Sequence, residues 1–443
     1  MSSGDTMAET IRDHEIEHVI VEFPDIDGIS RSKRVDAEYF LSTHGDGISM
    51  NMLLLAVSSM TDVPEGSGYG ESINFADGVV VPVPETFVRL PWDQKTASVI
   101  CDFEFRDEPA GAYTRHVLNR VLTRVNSELD VEFGVGNELE FHLLRDDGER
   151  YAPATNHKHE CVTRATGQAD AFYDRLKRWC EALDIPVQSI QHEYGAGQFE
   201  VLFEHASPMA GADRTFRFRE TVKEAAATGE THKEAAATED YTATFMAKPF
   251  TDEAANGYHL HLSAFDGAEN RFEDDGKLSE MGRHFVGGIL EHIEGLTALC
   301  CPTLNAFKRF TPGSFSPYTV SWGYNNRTAA VRIPESTPIR IEQRLPSADA
   351  NPYLVIAGTL AAGMHGVREE IDPGEPVNGD AAGKRPPLPR SQEIVLRALE
   401  DDDVLVETLG SEFVRAFTAV KRREHQLFND HVTDWEKRYL EVL

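Results

Sequence analysis

Thiols are scarce in this chain. Its 443 residues include five cysteines, Cys101, Cys161, Cys180, Cys300 and Cys301, and no CxxC pair. An odd, unpatterned set excludes a disulfide framework and a thiolate zinc site, leaving buried, reduced thiols as the expectation. Long apolar runs are missing too. No window approaches the roughly twenty residues that cross a bilayer, so no membrane span is expected. The N-terminus, MSSGDTMAETIRDHEIEH, lacks the basic, apolar, small-residue order of a signal peptide, and a cytoplasmic protein is expected. Basic residues are outnumbered: 43 Lys and Arg face 74 Asp and Glu, a net charge of −31. Such a surface repels nucleic acid and anionic lipid and excludes both as partners. Salt relieves its self-repulsion, which implies a salt-adapted protein. The acid is spread along the whole chain, so it reads as solvated surface and not as a tail.

A chain this long, 41% hydrophobic, predicts two domains. His18 to Phe23, Gly78 to Val83 and Ala97 to Phe103 read as strands, the first closed by the turn Pro24 to Gly28. Pro82 and Pro84 put the second at a sheet edge or a strand end. A small α+β unit ends near residue 105. Beyond it, Ala112 to Leu129 and Ala169 to Leu183 have helical periodicity, and Phe133 to Leu144 alternates as a strand. Val187 to Glu204 reads as two strands around Tyr194-Gly195-Ala196-Gly197. Asp403 to Leu443 reads as helix, with Phe413, Phe417, Val420 and Leu427 on its packing face. KEAAAT at Lys223 to Thr228 recurs at Lys233 to Thr238, a duplication expected to lengthen a helix or form an exposed loop.

Acidic residues are common here, so only their arrangement informs. Glu138 and Glu140 in NELEF are two apart on an apolar strand and share a face, where unpaired charge is costly and a cation is expected between them. Glu193 and Glu200 flank a Gly-rich turn that can bring them together. His259 and His261 in YHLHLS, and Arg340, Glu342 and Arg344 in RIEQR, have the same strand spacing. Carboxylates with one or two imidazoles suit Mg²⁺ or Mn²⁺. Any one of these motifs has an ordinary reading, a satisfied core histidine or a solvated strand face; the whole set does not. NAFKRFTPG and NRTAAVRIP add Lys308, Arg309, Arg327 and Arg332, and guanidinium forks suit carboxylates and phosphates.

In order and spacing these motifs, with IDGISRSKRV, FADGVVVPVPETFVRLPWD, ATFMAKP and RIEQRLPSADANPYL, make nearly the whole chain resemble the glutamine synthetase family, type I. The resemblance implies an α+β fold: a tail over residues 1–13, a β-grasp domain over 14–105, and a catalytic domain over 106–443. The last is of the glutamine synthetase/guanido kinase-like kind, a curved antiparallel sheet with surrounding helices. It implies a homo-oligomer of two stacked hexameric rings with active sites between subunits. Glu140, Glu193 and Glu200 match the ligands of a metal near the amino-acid substrate. Glu138, His259 and Glu342 match those of a metal on the ATP phosphates. Arg309 and Arg344 match glutamate-holding arginines, Arg327 and Arg332 phosphate contacts, and His261 and Ser263 ATP contacts; Arg309, Arg327 and Arg344 take the catalytic roles. The implied reaction phosphorylates the glutamate γ-carboxylate with ATP, after which an amine displaces phosphate.

The chain departs from the family at the ammonium site. Where the family has PGYEAP, with a proton-accepting glutamate, this chain has PGSFSP and Phe315. The DGSS loop is replaced by GDGISMNMLL, and Ala254-Ala255 stand where a loop closes over glutamate. The tyrosine of the adenylylation loop is not recognisable near residues 373 to 392. A phenyl ring in place of a carboxylate suits an alkylamine or a polyamine such as putrescine, giving a γ-glutamyl–amine ligase. Ammonia as the substrate is the alternative. A retired, regulatory relative is a third reading, and the retained ligand set weighs against it.

Overall fold

A computed structural model describes residues 3–146, 151–156, 158, 160–163, 167–228 and 241–442. The second KEAAAT copy lies outside them; the first ends the helix Pro208–Ala227. The chain opens on a helix, Ser3–Asp13, that buries Met7 and Ile11.

A seven-stranded sheet follows: β1 (His18–Pro24), β2 (Ser30–Asp36), β3 (Ile48–Asn51), β4 (Asp77–Pro82), β5 (Val88–Arg89), β6 (Thr96–Phe105) and β7 (Glu108–Pro109). Its order is β2-β1-β6-β4-β3, with β1 parallel to β6. Pro82 is the last residue of an interior strand, so the strand-end reading of the prolines holds and the edge reading does not. Proline there removes no ladder bond from the strand's middle. The turn after β1 is tied to the rest of the molecule. Asn351 donates to the carbonyls of Asp25 (3.1 Å) and Ile26 (3.3 Å). Gly28, at φ +75, lies so near Asn351 that a Cβ would meet it at 3.2 Å. Lys421, buried on the helix Ser411–Asp430, pairs with Asp27 of the same turn.

The second sheet holds ten strands. They are β8 (Glu132–Asp146), β9 (Tyr151–Pro153), β10 (Val187–His192), β11 (Gln198–Phe203), β12 (Thr242–Thr244), β13 (Tyr258–Asp266), β14 (Glu269–Asn270), β17 (Trp322–Tyr324), β18 (Val331–Ile333) and β19 (Ile341–Gln343). A separate hairpin pairs β15 (Glu273–Asp274) with β16 (Lys277–Leu278). The main path runs β10-β11-β8-β13-β19-β18-β17 and is antiparallel except for β17 beside β18. Along β8, Leu139, Phe141 and Leu143 are fully buried on one face, and Glu138 and Glu140 take the other. Phe141 touches the rings of Phe172, Phe199, Phe218 and Phe245, so truncating it to alanine would cost about 3–5 kcal/mol.

Helices cover the apolar face. The helix Pro352–Arg368 is capped by Asn351, starts on Pro352, and buries nearly every residue. It crosses the helix Glu280–Glu291 where Gly288 meets Gly366; a Cβ on Gly288 would sit 2.7 Å from the Gly366 nitrogen. The C-terminal helix expected from Asp403 onward is broken at Gly410, φ +97, into Asp403–Leu409 and Ser411–Asp430. Phe413, Phe417 and Val420 are buried as expected, whereas Leu427 is only half-buried. Four cysteines are buried; Cys161 is exposed, contrary to expectation, because it sits at the protein's rim beside β10. No described helix is long and apolar enough to cross a membrane.

Candidate active site

Strand register assembles the site. Glu140 of β8 lies opposite Glu200 of β11, and Gln191 of β10 lies opposite Glu200 on its other side. On the other flank Glu138 faces His259 of β13, His261 faces Glu342 of β19, and Glu342 faces Arg332 of β18. Side chains two apart share a face, so one row of polar groups crosses the sheet on the side away from the phenylalanine core.

These side chains, except the fully buried Glu342, line one cleft of about 1500 Å³. Its floor is acidic. His259 Nδ1 is 2.5 Å from Glu138 Oε1. Ligand atoms of Glu138, Glu200 and His259 lie within 4.8 Å of one another. The Gly257 amide donates to Glu140 (2.7 Å), and Gln198 Nε2 donates to the same oxygen (3.2 Å). Gln191 Nε2 bridges Glu193 (2.7 Å) and Glu200 (2.8 Å). Burial and then the Glu138, Glu140 and Glu193 carboxylates push Glu200 up to about 11, and burial and Glu140 push Glu193 up to about 7. Burial raises Glu140 as well, outweighing the Gly257 amide and Arg309. For Glu138 the opposite holds: burial is overcome by His259 and His261, which keep it well below the usual range. Four carboxylates that ionise together only with cationic help, one imidazole among them, are hard ligands suited to a divalent cation such as Mg²⁺ or Mn²⁺.

The facing wall is cationic. Arg344 and Arg332 both hold Glu342, the latter at 2.7 Å. Burial raises that carboxyl, but Arg344 and the two histidines outweigh it and bring it to about 2. Arg340 Nε contacts His261 Nδ1 at 3.2 Å, and Arg309 donates to the Leu345 carbonyl at 2.9 Å. Arg309, Arg332 and Arg344 each keep a buried Nε without a hydrogen-bond partner, while His261 Nε2 faces Glu138 at 3.5 Å. Buried donors left open in this way are built for an anion. Arg327 and Lys308 line the same cleft. Ser263 is buried opposite Gly134 on the same strand face, and is not among the cleft-lining residues.

The loop after Arg309 closes the remaining side. Ser314 folds back on the Thr311 carbonyl, Gly313 takes φ +82, and Phe315 is left 52% exposed in the cleft. Arg344 Nη2 reaches the Phe315 carbonyl at 3.4 Å. Ala254 and Ala255 line the cleft nearby. Sequence reasoning missed Gln191 and Gln198. Each lies two residues from a singled-out glutamate on the same strand face, and that spacing was the available signal.

The α+β fold and its acid-and-arginine cleft belong to a carboxylate–amine ligase. The glutamine synthetase catalytic-domain family matches residues 112–440, and the chain belongs to the glutamine synthetase family. It is 32% identical to gamma-glutamylethanolamide synthetase GlnA4 of Streptomyces coelicolor, over 96% of this chain and 92% of that one. It is 32% identical to glutamate–methylamine ligase of Methyloversatilis universalis (97% and 98%) and 31% identical to glutamine synthetase of Pyrococcus abyssi (94% and 95%). The solved structure of GmaS without ligand superposes with a TM-score of 0.84 at 32% identity, covering 97% of this chain and 98% of that one.

Proposed function

We propose that this chain is an ATP-dependent γ-glutamyl–amine ligase whose second substrate is an alkylamine or a polyamine such as putrescine. One observation carries the choice of amine: the position that would carry a proton-accepting carboxylate presents an exposed phenyl ring, Phe315, to the cleft beside Arg344. Relatives named for methylamine and ethanolamide chemistry support the same choice.

Glutamate lies against Arg309 and Arg344, whose forks match its carboxylates. The ATP phosphates lie against Arg327 and Arg332, with His261 toward the nucleotide. Glu138, His259 and Glu342 would hold one divalent cation and Glu140, Glu193 and Glu200 a second. Bound Mg²⁺ or Mn²⁺ would supply charge neutralisation for the transferring phosphoryl group. A γ-carboxylate oxygen of glutamate attacks the terminal phosphorus of ATP, and ADP leaves. The amine nitrogen then attacks the acyl carbon, the bond to the phosphate oxygen breaks, and phosphate leaves. The amine's proton passes to a cleft carboxylate or to a phosphate oxygen. Two stacked hexameric rings, with sites at the subunit borders, complete this reading.

Glutamine synthesis from ammonia is the second reading, favoured by the Pyrococcus abyssi relative. A phosphate-release assay with ATP and glutamate, run in high salt across ammonium, methylamine, ethanolamine, isopropylamine and putrescine, separates the two. An alkylamine should stimulate release more than ammonium does. Ordinary glutamine formation with every alkylamine ignored would overturn the proposal.

A further inference from the structure

The rim of the cleft holds a second aromatic ring that the reaction above does not use. Tyr194 occupies the turn between β10 and β11, next in the chain to Glu193. It is 46% exposed and touches Phe315, with ring centroids 5.8 Å apart and planes inclined at 42°. Both residues line the cleft. Two large rings pressed together yet turned to solvent, on separate loops, form an apolar patch of the kind that marks a binding surface. Arg344, bonded to the Phe315 carbonyl, fixes the pair beside the wall assigned to glutamate.

An acid completes the group. Glu160 lines the same cleft, its carboxylate beside the Tyr194 hydroxyl. The segment carrying Glu160 is pinned by the Cys161 amide, bonded to the His192 carbonyl at 2.9 Å. Lys158, two residues before Glu160, is directed at Glu253, 2.5 Å away, and Arg327 is the cation that shares the cleft with Tyr194. Aromatic faces beside a carboxylate are the chemistry that recognises an ammonium group: the ring quadrupoles attract the cation and the carboxylate accepts its N–H donors.

We propose that Tyr194, Phe315 and Glu160 form a subsite for the far end of the amine, and that it takes a second ammonium group, so that the substrate is a short diamine. The inference rests on the alkylamine reading and goes beyond it, because it gives the far end of the amine a carboxylate partner of its own. The methylenes of the diamine pack on the Phe315 and Tyr194 rings, with one nitrogen toward the acyl phosphate and the other at Glu160. A terminal hydroxyl could also donate to Glu160, but forgoes the attraction between cation and ring.

The test compares 1,4-diaminobutane, butylamine and ethanolamine as substrates of the full-length enzyme, by kcat/KM from phosphate release. Butylamine has the same carbon count as the diamine and lacks only the second nitrogen. Wild type should prefer the diamine to butylamine by roughly fivefold or more. Both Glu160→Gln and Tyr194→Leu, at surface positions, should move that ratio toward one, mainly through KM. A wild-type ratio near one, or a ratio unchanged in both variants, overturns the subsite. Ethanolamine preferred over the diamine in a Glu160-dependent manner overturns the second ammonium. Turnover of ammonium alone, with no alkylamine used, overturns the alkylamine reading itself and is distinguishable from the other outcomes.

Discussion

The two ends of the cleft are made differently. The acidic floor and its arginine wall stand on β8, β11, β13, β18 and β19 or next to them, buried and cross-bonded, so that Glu342 alone is held by two guanidinium groups. The end proposed to take the amine stands on loops: Phe315 and Tyr194 are about half exposed and meet mainly each other. Strands fix position by a ladder of backbone bonds, whereas loops tolerate exchange of their side chains. The first end is therefore suited to chemistry common to every substrate, and the second to the feature that distinguishes one amine from another.

That contrast breaks most sharply at the floor. Glu193→Ala should lower turnover by more than roughly 100-fold, with weakened divalent-cation binding by calorimetry and an unchanged thermal unfolding midpoint. Retained activity would show that the floor is not where the shared chemistry lies. Next in size is Arg344→Ala. Losing a charge-assisted fork while leaving Glu342 with one partner should cost about 3–5 kcal/mol, read as a loss in kcat/KM for glutamate. Wild-type glutamate kinetics would refute that role. At the loop end the effect is on selectivity. Phe315→Glu restores a carboxylate, and since general-base help is worth ~10²–10⁴-fold, ammonium turnover should rise by up to that factor while alkylamine turnover falls. The smallest effect belongs to the outer surface. Molar salt shortens the screening length to about 3 Å, so the unfolding midpoint should rise from dilute buffer to molar salt as the net charge of −31 is screened. A midpoint insensitive to salt would contradict the salt-adapted reading.

Most of the floor was legible in the sequence because a two-residue period survives without any knowledge of neighbours. NELEF, YHLHLS and RIEQR each announce a polar face on a buried strand, and the β10–β11 turn appeared between the residues expected. The long helix Pro352–Arg368 was not singled out, since it is apolar on all sides and so has no amphipathic stripe to read. Gly410's break in the C-terminal helix escaped for another reason: helical spacing continues on both sides of it. The aromatic pair at the rim was half visible. Phe315 stood out as a substitution, but its meeting with Tyr194 joins residues 121 positions apart in the chain, and no local pattern encodes that distance.

The strand register has a consequence for how such a protein can change. Glu138, Glu140, Glu200, His259, His261 and Glu342 all owe their direction to one set of ladder pairings. Insertion or deletion of a single residue within β8 would turn the following glutamates into the phenylalanine core and bring leucines into the cleft. The floor is thus inherited or lost as a unit, with no graded intermediates between. The rim carries no such constraint, so the end proposed to take the amine can change one residue at a time over a floor that stays the same.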